Sequence, residues 1–206
     1  MQTRTRVKMC GMTQVADIVR AIELGVDAIG LIFYAKSTRA ISIEQAVVLV
    51  QAMKAFVDVV AVLVNPDKIW VRELISAIPI QYLQFHGNES VDFCEQFAMP
   101  YIKAIAATST EAIIKADTQF RYASALLLDT PGGAAHGGSG VVFDWHIIPK
   151  GLTVPFILAG GLNAANVKQA MLQCKPYAVD VCSGIELSAG IKDHGKMQDF
   201  VNAIGA

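Results

Sequence analysis

Cys10 and Asp129 are the two residues whose types and positions best suit acid–base chemistry. Cys10 ends a predicted strand and precedes a predicted helix, whose dipole would lower the pKa of a thiol and favour a base or a nucleophile. Asp129 follows four apolar residues, and an acid there would need an apolar setting that raises its pKa. Each also has a plain structural interpretation, Cys10 as a small buried side chain and Asp129 as a cap.

Two glycine-containing pairs suggest where an anion would bind. Gly160-Gly161 and Ser183-Gly184 follow the last two predicted strands. Glycine lets the backbone approach an anion closely, and the Ser183 hydroxyl can donate one more hydrogen bond. Either pair alone is as readily a tight turn. Because they follow adjacent strands, together they predict a phosphate site built from backbone N–H groups.

Arg39 and His86 are further candidates for ligand contacts. Arg39 follows the second predicted strand and is either an ordinary surface arginine or a fork that grips a carboxylate with two hydrogen bonds. His86 follows the fourth predicted strand, where a structural role is as open as a catalytic one. The four cysteines and four histidines form no CxxC pair and show no metal-ligand spacing, so no metal is expected. Dinucleotide and nucleotide motifs are also missing, which argues against a cofactor.

All of these candidates follow short segments rich in β-branched residues, which alternate with segments of helical period. The predicted strands are Arg6–Cys10, Ala28–Phe33, Val57–Val64, Ile80–Phe85, Tyr101–Ile105, Ala125–Leu128, Pro155–Ala159 and Ala178–Cys182. The predicted helix starts are a Thr13 cap, the capping boxes Ser42–Gln45 and Thr108–Glu111, and the cap-then-proline pair Asn65-Pro66. Residues 143–148 offer only a turn or two after the sixth strand.

Eight strand–helix units with the helix last predict an α/β fold, a closed, parallel (β/α)8 TIM barrel. The competing architecture, an open doubly wound sheet, usually has five or six strands and exposed edges. No linker rich in Pro, Gly or Ser divides the chain, so residues 1–206 are expected to form one domain. The active site of such a barrel lies at the C-terminal ends of its strands, where every candidate above is found.

Composition narrows the possible partners and compartment. The net charge is −1 and the Lys and Arg residues are scattered, so no surface for nucleic acid is expected. No secretory signal and no stretch as apolar as a membrane span is visible, and the cysteines suggest a reducing setting. A cytoplasmic enzyme is predicted. A monomer is the default, with a homodimer as the alternative.

Taken in order, the loop residues resemble those of the phosphoribosylanthranilate isomerases of tryptophan biosynthesis. The resemblance covers nearly the whole chain. Its fragments are Lys8-Met9-Cys10-Gly11-Met12-Thr13, Ser37-Thr38-Arg39, Val64-Asn65, Gln84-Phe85-His86-Gly87, Leu128-Asp129, Gly137-Gly138-Ser139-Gly140 with Phe143-Asp144-Trp145, Leu158-Ala159-Gly160-Gly161-Leu162, Val179-Asp180-Val181-Cys182-Ser183-Gly184-Ile185-Glu186 and Gly190-Ile191-Lys192-Asp193. Met12, Ser139 and Cys182 depart from the residues common in the family.

The resemblance implies a ribulose-phosphate-binding barrel that isomerises N-(5-phosphoribosyl)anthranilate to 1-(2-carboxyphenylamino)-1-deoxyribulose 5-phosphate without cofactor or metal. It implies Asp129 as the acid, Cys10 as the base and Arg39 as the grip on the anthranilate carboxylate. His86 is expected at the substrate. The residues expected around the phosphate are Gly160, Gly161, Asp180, Ser183 and Gly184.

Two alternatives stay open at this stage. One is another phosphosugar barrel enzyme, such as an indole-glycerol-phosphate synthase or an epimerase. Lys8 and Lys103 lie within strands as the synthase would require. The glutamates that it would also need at the inner strand ends are not found at those positions. Only His86 stands where an epimerase would need its metal ligands. The other alternative is a phosphate-binding barrel without catalysis, and the pairing of Cys10 with Asp129 argues against it.

Overall fold

Eight parallel strands close into a barrel in the computed structural model, which describes residues 4–131 and 142–205. The strands are β1 (Arg6–Cys10), β2 (Ala28–Ile32), β3 (Asp58–Leu63), β4 (Tyr82–Phe85), β5 (Tyr101–Ala106), β6 (Ala125–Asp129), β7 (Phe156–Leu158) and β8 (Ala178–Val181). Each strand pairs with the next, and β8 pairs with β1 to complete the ring. The predicted closed parallel barrel is confirmed, and the open doubly wound sheet is excluded.

Helices follow most of the strands and cover the outside of the barrel. They are α1 (Val15–Glu23), α2 (Ile43–Val50), α3 (Lys68–Ala77), α4 (Val91–Glu95), α5 (Thr110–Gln119), α6 (Val167–Cys174) and α7 (His194–Ile204). Between β6 and β7, the described residues contain a single 3-10 helix, Trp145–Ile147. The weak helical pattern of this segment predicts so short an element. Between β8 and α7 lie a second 3-10 helix (Ser183–Ile185) and an antiparallel pair, β9 (Glu186–Ser188) and β10 (Ile191–Lys192).

One of the four predicted helix starts is confirmed. Ser42 and Gln45 form a complete capping box at α2. The other three predictions are wrong, because different residues occupy the cap positions. The caps are Gln14 at α1, Asp67 at α3 and Ser109 at α5.

Alternation along the strands separates an outer core from the barrel interior. On β6, Leu126 and Leu128 belong to the large cluster between sheet and helices, whereas Ala125 and Leu127 belong to a smaller cluster inside the barrel. Asp129, two residues beyond Leu127, therefore faces the interior at the mouth of the barrel. The same period places Lys8 and Cys10 of β1 inside, because Val7 and Met9 pack outside.

Among residues 4–131 and 142–205, no helix is both long and apolar enough to cross a bilayer.

Candidate active site

The inward-facing ends of β1 and β8 place Cys10 in a tightly packed setting. The thiol is buried, with 5% of the residue exposed. A Cβ atom on Gly30 of β2 would lie 2.5 Å from its Sγ atom, so only glycine leaves room for the thiol there. One layer deeper, Lys8 Nζ donates to Asp180 Oδ1 at 2.9 Å, and both side chains are almost fully buried. The thiol therefore sits directly above a buried ion pair.

Neighbouring groups make this thiol acidic. A hydrogen bond from Cys182 lowers the pKa of Cys10 to about 6, with burial acting in the opposite direction and the charges of Lys8 and Lys192 adding to the decrease. A thiol with such a pKa is largely ionised at neutral pH. Cys10 thus has the electrostatic surroundings of a base.

A second group of charges borders the thiol side of the mouth. Arg39 holds both carboxylate oxygens of Glu186, with Nε–Oε1 at 2.7 Å and Nη2–Oε2 at 2.5 Å. Lys192 Nζ donates to the same Oε1 at 2.9 Å. Burial opposes ionisation of Glu186, but the hydrogen bond from Arg39 and the charge of Lys192 outweigh it and keep the pKa of Glu186 below its ordinary value. The Nη1 atom of Arg39 lies 3.5 Å from Thr38 Oγ1, and the remaining N–H groups on Nη1 and Nη2 can donate to a second carboxylate.

Asp129 lies on another side of the mouth with fewer neighbours. Its Oδ2 atom is 3.2 Å from His86 Nε2, and its Oδ1 atom accepts from Thr130 N–H at 2.8 Å. The other ring nitrogen of His86, Nδ1, lies 3.2 Å from Gln84 Nε2. Gly160 has φ +81°, and a Cβ atom there would lie 2.8 Å from Asp129 Oδ1. Glycine at this position lets the loop pass close to the carboxylate.

The loops after β7 and β8 contact each other and leave backbone donors available. Gly160 and Gly161 both have left-handed φ angles, +81° and +69°. Gly184 packs so closely on the Leu162 carbonyl that a Cβ atom would collide with it. Within the described ranges, no acceptor is assigned to the backbone N–H groups of residues 160, 161, 183 and 184. Adjacent free donors of this kind suit a phosphate group.

Asparagine side chains fix the shape of the first of these loops. The amide of Asn166 donates to the Gly161 carbonyl at 3.0 Å and accepts from Asn163 N–H at 2.9 Å. The Asn163 side chain accepts from Ala165 N–H at 2.9 Å. These hydrogen bonds hold the Gly161 carbonyl in place and so fix the backbone around the two glycines.

Most of the predicted site residues lie around one mouth of the barrel. The side chain of one of them, Asp180, lies elsewhere. Cys10, Arg39, His86, Asp129 and the two glycine loops surround the C-terminal end of the barrel. Asp180 is the exception, because its carboxylate binds Lys8 inside the barrel and carries the same sign of charge as a phosphate. The carboxylate of Asp180 thus belongs to the thiol side, and a contact of Asp180 with the phosphate stays a prediction for its backbone only. The predicted motif Gly137-Gly138-Ser139-Gly140 lies outside the described residues.

Sequence reasoning did not assign three charged residues that the structure places beside the thiol. Lys8, Glu186 and Lys192 are all buried and ion-paired. Lys8 and Asp180 each interrupt an apolar strand, and a charge in such a position needs a partner. That signal was visible in the sequence, but it does not say which partner is chosen. The described residues contain no group of three or more His, Cys, Asp or Glu side chains that could bind a metal ion.

Comparison with known proteins gives a consistent result. The sequence profile of the N-(5'-phosphoribosyl)anthranilate (PRA) isomerase family matches residues 7–203. The N-(5'-phosphoribosyl)anthranilate isomerase of Legionella pneumophila (strain Lens) is 57% identical over 202 residues, which are 98% of each chain.

Two solved structures share the fold along almost the whole chain. One is a phosphoribosyl anthranilate isomerase in complex with reduced 1-(o-carboxyphenylamino)-1-deoxyribulose 5-phosphate, with 33% identity, a TM-score of 0.84, and coverage of 98% of this chain and 100% of the other. The second is a structure of monomers of the dimeric isomerase from Thermotoga maritima, with 30% identity, a TM-score of 0.83 and 98% of each chain covered.

Proposed function

The chain belongs to the N-(5'-phosphoribosyl)anthranilate isomerase family, and we propose that it performs this isomerisation with Asp129 as the acid and Cys10 as the base. The enzyme serves tryptophan biosynthesis. The observation that carries the assignment of roles is the placement of an acidic thiol and a carboxyl group around one barrel mouth, beside two loops with free backbone donors.

The proposed reaction begins with proton transfer from Asp129 to the ring oxygen of the sugar. The bond between C1 and that oxygen breaks, and the nitrogen lone pair forms a C1=N bond, which opens the ring to a Schiff base. The Cys10 thiolate then removes the C2 proton. Electrons of the C2–H bond form a C1=C2 bond while the C=N electrons return to nitrogen. The resulting enolamine tautomerises to the ketone, so the sequence is redox-neutral within the substrate.

The surroundings of Cys10 support its role as base. A pKa of about 6 keeps the thiol ionised at neutral pH without making it too weak to accept a proton. The packing of Gly30 against the Sγ atom limits the positions that the thiolate can take. Fixed geometry of this kind lowers the entropic cost of reaching the transition state.

His86 is better explained as a positioning residue than as a direct substrate ligand. Its Nε2 atom lies 3.2 Å from the carboxyl group of Asp129, and its Nδ1 atom is held by Gln84, which is buried. The histidine thereby links the acid to a fixed side chain of β4. A held carboxyl group delivers its proton along one direction.

The two ends of the substrate would find matching groups around the mouth. The phosphate would accept hydrogen bonds from the backbone of Gly160, Gly161, Ser183 and Gly184, in the cradle formed by the two contacting loops. The anthranilate carboxylate would accept hydrogen bonds from the remaining N–H groups on Nη1 and Nη2 of Arg39, whose Nε and Nη2 atoms also hold Glu186. Binding at both ends would hold the sugar between acid and base.

The partner of this site is a phosphorylated small molecule, in keeping with the phosphorylated ligand of the related solved structure. We retain a monomer as the proposed state and a homodimer as the alternative, since one related isomerase is described as dimeric. One domain over residues 1–206 and a cytoplasmic location are likewise proposals.

The roles are tested by Cys10→Ala and Asp129→Asn in a fluorescence assay that follows loss of freshly made phosphoribosylanthranilate. Each variant should lose about 10²–10⁴-fold in kcat, the usual contribution of proton transfer. Binding of the reduced product analogue should persist in both. Cys174→Ala, a thiol on α6, serves as the control and should keep full activity. Substantial turnover by either site variant would refute its assigned role.

A further inference from the structure

We propose that Lys192 is a positioning residue that sets the distance between the phosphate subsite and the carboxylate subsite. Its ammonium fastens the end of β8, where the phosphate subsite begins, to the carboxylate that holds Arg39. The inference rests on the proposed function, because it takes the phosphate to lie against Ser183 and Gly184 and the anthranilate carboxylate against Arg39. The predicted effect is on how well one ligand occupies both subsites at once.

The ammonium of Lys192 is occupied by contacts within the protein. Its Nζ atom donates to Glu186 Oε1 at 2.9 Å and to the Cys182 carbonyl at 3.2 Å, and it lies 3.8 Å from Cys182 Sγ. The side chain is 0% exposed. An ammonium has three donors, and a charge buried this deeply needs such partners. Lys192 therefore acts on a ligand only through the groups that it holds.

The two groups held by Lys192 support the two subsites. The Cys182 carbonyl directly precedes the 3-10 helix Ser183–Ile185, whose first residues carry the proposed phosphate donors. Glu186, at the other end of that helix, holds Arg39 through Nε at 2.7 Å and Nη2 at 2.5 Å. Because one ammonium bonds both ends of this short turn, it fixes where the phosphate donors stand relative to the guanidinium.

The main chain around Lys192 is anchored separately. Its backbone N–H donates to Asp17 Oδ2 of α1 at 3.1 Å, and Asp17 is 2% exposed. The nearby Gly190 carbonyl accepts a hydrogen bond from the Thr13 hydroxyl. Neither bond involves the ammonium, so replacement of the Lys192 side chain should leave β10 in place and release only the groups that the ammonium holds.

Glu186 keeps partners when the ammonium is removed. Arg39 still holds both carboxylate oxygens, and the Gly190 N–H donates to Oε1 at 3.2 Å. Lys192→Met therefore does not leave a buried carboxylate unpaired, which is the usual reason that a broken buried ion pair unfolds a protein. What the variant loses is the link between Glu186 and the Cys182 carbonyl.

A fixed distance between two subsites matters only to a ligand that occupies both. Binding at one end raises the effective concentration of the other end at its own subsite, and this gain falls when the subsites shift relative to each other. Inorganic phosphate and anthranilate each occupy one subsite. The reduced product analogue, reduced 1-(o-carboxyphenylamino)-1-deoxyribulose 5-phosphate, carries both groups.

The test measures the Kd of these three ligands for wild type and Lys192→Met, by the fluorescence of the anthranilate group and, for phosphate, by competition with the analogue. The effective concentration is the product of the two single-ligand Kd values divided by the Kd of the analogue. Lys192→Met should lower it about ten-fold. Loss of positive charge weakens the binding of phosphate equally in both ligands, so it cancels in this ratio.

The matched control is Lys196→Met. It removes the same charge from a neighbouring lysine, whose ammonium donates to the main-chain carbonyl of Glu186 at 2.8 Å. The effective concentration should stay at the wild-type value in this variant. A decrease equal to that of Lys192→Met would show that the link to the Cys182 carbonyl is not the cause, and it would overturn the proposal.

The proposal is also overturned if wild type and Lys192→Met have the same effective concentration, whether their Kd values agree or all rise together. Should Lys192→Met fail to fold in a thermal unfolding scan, the double variant Lys192→Met, Glu186→Gln removes the two buried charges as a pair and is read in the same way. These measurements need no turnover. A wild type that binds all three ligands without isomerising the substrate would refute the proposed reaction alone, whereas one that binds none of them would refute the proposed site and this inference with it.

Discussion

The thiol side and the acid side of the mouth are built differently. Cys10 is surrounded by a second thiol and by ion pairs contributed by β1, β8, β9, β10 and the loop after β2. Asp129 has one ionisable neighbour at hydrogen-bonding distance, His86, among the described residues. The thiol is also more deeply buried than the carboxyl group, whose side chain is 19% exposed.

The difference follows from the chemistry of the two groups. A thiol must lose a proton that it ordinarily keeps at neutral pH, so its surroundings must stabilise negative charge in a buried place. A carboxylic acid must deliver a proton to one atom, and direction matters more than a network of charges. Damage to the thiol side should therefore affect stability and ionisation together, whereas damage to the acid side should affect turnover alone.

The largest effect is expected where the buried ion pair is broken. Lys8→Met leaves Asp180 buried without its partner and should lower the free energy of unfolding by about 3–5 kcal/mol, measured in urea. The pKa of Cys10 should rise as well. Arg4→Met breaks the Arg4–Asp27 pair, in which the arginine is 52% exposed, and should cost about 0–1 kcal/mol. Equal losses in the two variants would contradict the comparison.

A smaller loss is expected at Gly30, where overpacking against Cys10 should lower turnover and also reduce stability. The methyl group of Gly30→Ala would lie 2.5 Å from Cys10 Sγ and must push the thiol away from its position. A displacement of this kind can cost about 10²-fold in kcat. Gly195→Ala, where the nearest atom would be Asp193 Oδ1 at 3.1 Å, is the matched control and should be unaffected. Unchanged kcat in Gly30→Ala would show that the thiol tolerates movement.

The acid side is probed by His86→Gln. Loss of the ring that holds Asp129 should lower kcat by about ten-fold with KM little changed, because substrate contacts remain. The free energy of unfolding should stay near that of wild type, in contrast to Lys8→Met. A rise in KM with kcat preserved would instead return His86 to the substrate-binding role that the sequence suggested.

The mildest change is expected for Arg39→Lys. Lysine keeps the positive charge beside Glu186 but cannot grip two carboxylates at once. KM should rise about five-fold while kcat changes less, since the anthranilate end is remote from the transferred protons. Steady-state kinetics give both values. An unchanged KM would remove Arg39 from the substrate.

The strands were predictable from sequence because continuous apolar runs mark segments buried on both faces, and all eight agree with the structure to within two residues. Helix starts were less predictable, since the residues expected as caps have distant partners. Thr13 donates to the Gly190 carbonyl, and Asn65 adopts φ +44° and accepts from Asn88 N–H. Local spacing does not contain this information.

In the site, too, features set by local sequence were predictable and features set by distant partners were not. Cys10, Asp129 and the glycine loops occupy fixed positions at strand ends, so alternation and length sufficed to place them in the mouth. The pairing of Arg39 with Glu186 and of Lys8 with Asp180 depends on residues more than 140 positions apart in sequence, at 147 and 172. Those pairings appear only when the ring closes.

Closure of the ring has a consequence for folding. Lys8 and Asp180 are 172 residues apart, and Cys10 lies at the same junction between the first and last strands. Contacts of such long separation form slowly compared with local ones. During refolding, rapid alkylation of Cys10 at neutral pH should therefore appear only when β1 finally joins β8. The alkylation rate of Cys10 would then report the completion of the barrel.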